Sequence, residues 1–346
     1  MALAWGWLSP GSVASSISSH RENRTRISKG RIDQCVLLEI DTDERATRVR
    51  AVFDERQLAE DRISAVHYLR FPLSAEQRGQ LLDGAAARIE IDDVSLRFRG
   101  VTALDGVTLE LASGSLHALI GPNGAGKTSL LNCISGLYRP SGGSITYSIE
   151  GGGEHRIDRL PPHRIARLGI ARTFQNIELF KHMTTLDNLM LGRHMHMRGG
   201  VLDGGLYWGR QQREEVSERR SVEEVIDFLE LQAVRGDLVG NLSYGQQKLV
   251  ELGRALAIEP NFLLLDEPMA GMNVEEKESL ARFVLDVYEE WNITPVVIDH
   301  DMDVVMEICD RVSVLDFGRV IAVGSPDEVR ADPDVIDAYL GEEAHV

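Results

Sequence analysis

The sequence predicts an α/β domain over residues 89–346, preceded by a small α+β appendix over 31–88 and a tail over 1–30. Two observations carry the prediction. Residues 115–120 form an apolar strand that runs straight into a glycine-rich loop and then a helix over 127–136, which is the order of a strand–loop–helix unit of parallel α/β folds. Further on, 262–265 and 295–298 are short continuous apolar runs, as strands covered on both faces are.

In chain order, residues 1–30 are rich in Ser, Arg and Asn with few periodic apolar positions, so a largely mobile segment is expected. Val36, Leu38 and Ile40, then Val49, Ala51 and Phe53, alternate at period two on either side of the polar run 41–46, the pattern of a β-hairpin. A strand is expected over 64–71 and a short helix over 74–82. At Ile89 the texture changes. Ile89, Ile91, Val94, Leu96 and Phe98, followed by Val107, Leu109 and Leu111, read as two strands joined by a turn around Gly100. A helical subdomain is expected over about 176–250, including a helix at 222–231, with 199–219 its least regular part. Residues 214–220 read as a solvated helix face. Leu280, Phe283, Val284, Val287 and Trp291 then repeat at helical spacing.

Composition narrows the function. Of 346 residues, 54 are acidic and 37 basic, giving a formal net charge of −17, so nucleic acid and anionic lipid would be repelled by the overall field. Cys35, Cys133 and Cys309 are far apart and form no CxxC pair, which suggests reduced thiols rather than a disulfide framework or zinc site. No run reaches the roughly 20 apolar residues of a membrane-spanning helix, and no secretion signal is read at the start. His194-Met195-His196-Met197 lacks an acidic or cysteine partner and is read as solvated rather than metal-binding.

The chemistry lies in two motifs. Gly121-Pro122-Asn123-Gly124-Ala125-Gly126-Lys127-Thr128, continued by Ser129, satisfies GxxxxGK[ST] between a strand and a helix. Its glycines let backbone N–H groups close around phosphate oxygens, with the helix N-terminus behind them. Lys127 would reach the β- and γ-phosphates, and the Thr128 hydroxyl would ligate Mg²⁺. Leu263-Leu264-Leu265-Asp266-Glu267-Pro268 puts two carboxylates at the end of a buried strand. Asp266 fits an Mg²⁺-holding carboxylate and Glu267 a general base for water. Such acidic pairs also cap helices, but beside a phosphate loop the catalytic reading is preferred.

Leu242-Ser243-Tyr244-Gly245-Gln246-Gln247, shortly before that strand, is similar to the signature sequence of ABC ATPases. The resemblance covers roughly three-quarters of the chain, from Ile89 onward, and implies an ABC nucleotide-binding domain with a mixed sheet core and a helical subdomain. Ser243 and Gly245, with Gln246, would face the γ-phosphate held by an opposite subunit; Ser243 also reads as a simple N-cap with Gln246 three residues on. Gln175, in Arg172-Thr173-Phe174-Gln175-Asn176, matches the family's glutamine loop, which touches Mg²⁺ and water and leads to the membrane partner. His300 matches the switch histidine at the γ-phosphate. Phe98 stands where the family stacks an aromatic ring on adenine, or else is strand core. Ala270-Gly271-Met272-Asn273 stands at the D-loop, with Asn273 in place of the more usual aspartate.

The motifs around 172–180, 266–273 and 298–306 and the ending 332–341 resemble most the ATPase subunits of branched-chain amino acid importers. That implies ATP and Mg²⁺ as cofactors, a second ATP-binding subunit of the same or a different chain, separate permease subunits, and indirectly a solute-binding protein. It also implies a peripheral position at the cytoplasmic face of the cell membrane. The competing readings are an exporter ATPase, which more often carries fused membrane helices, and a soluble ABC ATPase that remodels ribosomes or DNA, which carries tandem domains or a long coiled coil.

Overall fold

A computed structural model of the chain describes residues 25–29, 36–42, 45–50, 52–53, 69–70, 87–149, 153–175, 177–194, 210–299 and 302–343. The chain divides into two units, Met1–Ala85 with Glu289–Asn292, and Ala86–Tyr288 with Ile293–Val346.

In the first unit, β1 (Thr25–Lys29), β2 (Val36–Thr42) and β3 (Arg45–Arg50) form an antiparallel sheet in that order. Leu38 lies between Ile27 and Val49 in register. The hairpin is tighter than the polar run suggested, because Thr42 already pairs with Arg45. Strand β1 corrects the expected tail: Thr25–Lys29 adds a third strand to the hairpin, whose β2 edge has backbone groups to satisfy. β4 (Val52–Phe53) pairs with β5 (Leu69–Arg70), all that is described of the strand expected over 64–71. The helix expected over 74–82 lies outside the described residues.

The second unit begins with β6 (Ala87–Phe98) and β7 (Val101–Ala112), joined around Gly100 as the alternation predicts. They combine with β9 (Gly142–Ile149) and β10 (Gly153–Arg156) in an antiparallel sheet of order β10-β9-β6-β7. The second sheet has six strands: β11 (Ile170–Arg172), β12 (Phe262–Asp266), β13 (Thr294–Ile298), β8 (His117–Ile120), β14 (Arg311–Asp316) and β15 (Arg319–Gly324), in that spatial order. The first five run parallel and β15 returns antiparallel. Every residue of β8, β12 and β13 is buried, which is why these segments read as unbroken apolar runs rather than alternations.

Between the sheets lies one core, in which Ile89, Leu104 and Tyr147 meet Leu130, Ile134, Phe262, Ile298 and Leu315. Each such side chain contributes about 1.5–3 kcal/mol on burial. The Tyr147 ring stands edge-on to Phe262, 6.1 Å between centroids, while its hydroxyl accepts from Asn261 Nδ2 at 3.0 Å. Helix α1 (Lys127–Ile134) follows β8, and α2 (Pro162–Arg167) leads into β11.

The helical region contains α3 (Thr185–Arg193), α4 (Arg210–Phe228) and α5 (Tyr244–Leu256). Thr184 caps α3 by accepting from Asp187 N at 3.1 Å. The expectation that 199–219 is irregular fails over Arg210 to Arg219, which belong to α4; 199–209 lies outside the described residues. Nor is 214–220 wholly solvated. Glu218 is half-buried because the buried Arg193 guanidinium pairs with it while also bonding Ala257 O. Helix α6 (Val274–Glu290) buries Leu280, Phe283, Val284 and Val287 as the spacing predicts, but ends before Trp291. The chain closes with α7 (Met302–Ile308), α8 (Pro326–Arg330) and α9 (Pro333–Glu343).

Candidate functional site

The C-terminal ends of the parallel strands form one edge of the six-stranded sheet, where open α/β sheets present their ligand crevice. The loop 121–126 leaves β8 there. Gly121 has φ +142°, and a Cβ on it would lie 1.9 Å from Leu315 O; Gly126, at φ +105°, would put one 2.6 Å from Ala103 O. Only glycine allows the loop to pack this closely against β7 and β14. The turn after β14 holds the loop from outside, Gly318 N donating to Ala125 O at 2.9 Å. No side chain caps α1 at Gly126, so its leading N–H groups are directed to the loop, as an anion site needs. The buried Lys127 ammonium donates to Gly121 O at 2.6 Å and Pro122 O at 2.9 Å.

Asp266 ends β12 and is buried. Its Oδ1 lies 3.4 Å from Thr128 Oγ1 and its Oδ2 accepts from Arg172 Nη2 at 2.8 Å. Arg172 Nη1 in turn donates to Asn132 Oδ1 at 2.7 Å and Ser135 Oγ at 2.9 Å, on the far end of α1. One buried arginine therefore ties the phosphate helix, the carboxylate strand and the glutamine-loop strand together. The pairing of one carboxylate with a threonine hydroxyl fits Mg²⁺, an ion that takes one or two protein oxygens and otherwise phosphate and water. Among the described residues no cluster of three or more His, Cys, Asp or Glu forms an all-protein cation cage.

Glu267 takes the left-handed conformation, φ +48°, and its N–H donates to Ile298 O at 2.7 Å. That turn carries its carboxylate off the strand line, where Oε2 accepts from Gln175 Nε2 at 2.7 Å. The structure thus brings Gln175, Glu267, Asp266, Thr128 and Lys127 into one crevice. His300 lies outside the described residues. Its neighbour Asp299 is buried, and Oδ2 accepts from Met269 N at 3.1 Å, holding the turn after Glu267.

At the start of α5, Ser243 and Gln246 form a reciprocal capping box: Ser243 Oγ accepts from Gln246 N at 3.2 Å and Gln246 Oε1 from Ser243 N at 3.1 Å. The N-cap reading of Ser243 holds, and the Gln246 side chain is engaged within its own helix. A Cβ on Gly245 would fall 2.4 Å from Glu276 Oε1. Tyr244 Oη donates to Ala270 O at 3.1 Å, fastening the helix to the following turn. Asn273 caps α6, its Oδ1 accepting from Glu276 N at 2.9 Å, so the substitution for aspartate keeps the cap.

Phe98 is 44% exposed, which removes its alternative reading as strand core. Its ring pairs with Tyr138 in a T-shaped arrangement, 5.1 Å between centroids and 73° between planes.

Sequence reasoning assigned no role to Arg172, Asp299 or Tyr138. Arg172 and Asp299 were inside quoted motifs, yet their partners lie 94 and 30 residues away, beyond any local spacing rule.

A family profile described as "ABC transporter" matches residues 104–270, and one described as "Branched-chain amino acid ATP-binding cassette transporter" matches 319–345. Residues 16–109 match a third, described as "Protein of unknown function (DUF3501)". The chain is 40% identical over 257 residues to the high-affinity branched-chain amino acid transport ATP-binding protein BraF of Pseudomonas aeruginosa, covering 73% of this chain and 98% of that protein. To the corresponding protein LivG of Escherichia coli it is 38% identical with the same coverage. Among solved structures, the ADP conformation of MJ1267, an ATP-binding cassette of an ABC transporter, superposes with a TM-score of 0.63 at 31% identity, covering 74% of this chain and 99% of that one. A dimeric post-hydrolysis cassette, MJ0796 bound to ADP and Pi, gives 0.57 at 25% identity, covering 69% and 98%. With its phosphate loop and strand-end carboxylates in one crevice and its signature sequence at the start of α5, this chain belongs to the ABC transporter family of ATP-binding and ATP-hydrolysing subunits.

Proposed function

We propose that this subunit powers import of a small polar solute, branched-chain amino acids or a related compound, through separate permease subunits at the cytoplasmic face of the cell membrane. The observation that carries the reading is the Gln175–Glu267 hydrogen bond of 2.7 Å beside the Thr128–Asp266 pair, in a chain 40% identical to a branched-chain amino acid transport protein along nearly all of that relative's length. No helix among the described residues is long and apolar enough to cross a membrane, so a translocation path calls for other chains. Phe180, 57% exposed a few residues beyond Gln175, offers an apolar contact for such a chain.

In this mechanism the N–H groups of 121–128 and the N-terminus of α1 bind the phosphates of ATP, and Lys127 turns from Gly121 O and Pro122 O to the β- and γ-phosphates. Phe98, 44% exposed, stacks its ring on adenine. Thr128 and Asp266, with Gln175, would hold Mg²⁺, which when bound neutralises charge on the phosphate oxygens. Glu267 orients the attacking water and takes its proton, with Gln175 fixing the carboxylate. His300 holds the γ-phosphate. The signature serine and glycine of a second ATP-binding subunit complete each site, as Ser243 and Gly245 do for its counterpart.

The test is affinity purification of the tagged chain from detergent-solubilised native membranes, with mass spectrometry of what accompanies it. Polytopic permease subunits and a solute-binding protein are expected. Recovery of soluble partners alone, under conditions that keep other transporters intact, would overturn the transport reading while leaving the ATPase in place.

A further inference from the structure

Helix α5 begins with the signature residues, but its next two turns carry charges that those residues do not need. Lys248, Glu251 and Arg254 recur at i, i+3 and i+6, so they share one helix face. The Lys248 and Glu251 side chains are 3% and 2% exposed, with Nζ 3.6 Å from Oε2. A buried ion pair of this kind adds little net stability, because desolvation offsets the attraction. Burial pushes the Glu251 carboxyl above its ordinary range, with Lys248 and the Phe174 N–H acting against it. Burial likewise lowers the Arg254 guanidinium, with Glu251 and Glu178 opposing.

All three side chains reach across to one short backbone segment. Phe174 N donates to Glu251 Oε1 at 3.3 Å, Lys248 Nζ donates to Gln175 O at 3.1 Å, and Arg254 Nη1 donates to Glu178 O. The backbone is held on both sides of the Cα from which the Gln175 side chain departs, and that side chain ends on Glu267. A displacement of α5 is thereby passed to the Gln175 amide through three polar contacts, two of them with charged groups out of water, where such bonds are strong.

We propose that Lys248, Glu251 and Arg254 are positioning residues that clamp the glutamine-loop backbone to the signature helix, so that the position of α5 sets the Gln175 amide against Glu267. The inference rests on the reading of Glu267 as the base. It makes the signature helix an input to the site of its own chain, in addition to the one it presents to a second subunit.

The test uses the full chain with Lys248→Met/Glu251→Gln, which removes both charges together and leaves neither buried ion unpaired. Affinity for a fluorescent ATP analogue and KM for ATP are expected to stay within about twofold of wild type, because the phosphate loop is untouched. The kcat is expected to fall roughly 10- to 100-fold, the scale of a misplaced catalytic contact. Lys248→Arg, which keeps charge and reach, is expected to recover most of it. Wild-type kcat in the double variant, or a loss shared equally by nucleotide affinity and kcat, would overturn the clamp. Should the double variant fail to fold, Arg254→Gln decides by the same split between KM and kcat. Glu267→Gln run alongside separates the two readings: if it keeps turnover, the base assignment falls, whereas if it loses turnover and the clamp variants do not, only the clamp falls.

Discussion

Glu267 occupies a backbone conformation that costs a non-glycine residue about 1–3 kcal/mol, and the cost places its carboxylate against Gln175 rather than along the strand. Glutamine at 267 can still accept from the Gln175 amide but takes no proton. Glu267→Gln is therefore expected to bind ATP normally and lose roughly 10²–10⁴-fold in kcat, with an ATP-bound dimer appearing on size-exclusion chromatography; retained turnover would remove Glu267 as base. Lys127→Ala acts earlier, since it deletes the cation proposed to meet the β- and γ-phosphates. Nucleotide affinity measured by fluorescence titration should collapse in that variant. Arg172 makes a different prediction. Its side chain is buried against Asp266, and Arg172→Met leaves that carboxylate alone in the interior, a loss of about 3–5 kcal/mol that denaturant unfolding would read as a lower midpoint at neutral pH. An unchanged midpoint would mean that Asp266 finds another partner.

At the level of elements, periodicity made the second unit legible, and what it missed has a physical cause. The β6–β7 pair alternates because one face is buried, and β12 and β13 do not alternate because both are. Arg210 to Arg219 looked irregular because Val216 is the single apolar marker in that stretch; among its described side chains, Glu218 is held by a tertiary pair with Arg193. The site followed the same division. Residues 121–128 and 266–267 are contiguous and could be found by spacing, whereas the Arg172 fork and the α5 clamp join segments whose approach only the sheet order β11-β12-β13 creates. Asp158 offers a test of such non-local joinery at the foot of the antiparallel sheet. Burial acts against its charge, but hydrogen bonds from Arg156 Nε at 2.8 Å and Ile145 N at 3.3 Å outweigh it and hold its carboxyl below the ordinary aspartate value. A depressed pKa stabilises the fold above the unfolded-state value and loses that contribution as pH falls through the folded one. Asp158→Asn should thus melt below wild type at neutral pH, and the gap should close in acid; a gap independent of pH would assign the loss to packing instead.

The whole molecule joins a complete family domain to a unit the family does not require. The curated relatives match 257 residues, 73% of this chain but 98% of their own length, and every described side chain of the site comes from the second unit. The first strand of the second unit is also satisfied at its start. Ala87 N donates to Ser113 Oγ at 2.9 Å and Ala87 O accepts from Ser113 N at 2.8 Å, so the first residue of β6 is already satisfied by its own sheet. A chain beginning at residue 86 keeps both bonds and the whole core between the sheets. It is expected to fold, to bind ATP with unchanged affinity and to hydrolyse it with kcat within about twofold of the full chain, since a twofold change is well under the 1.4 kcal/mol of a tenfold one. Normal basal turnover together with lost permease co-purification would assign residues 1–85 to assembly rather than chemistry. A fall in kcat with intact folding would instead give the first unit a part in the ATPase cycle itself.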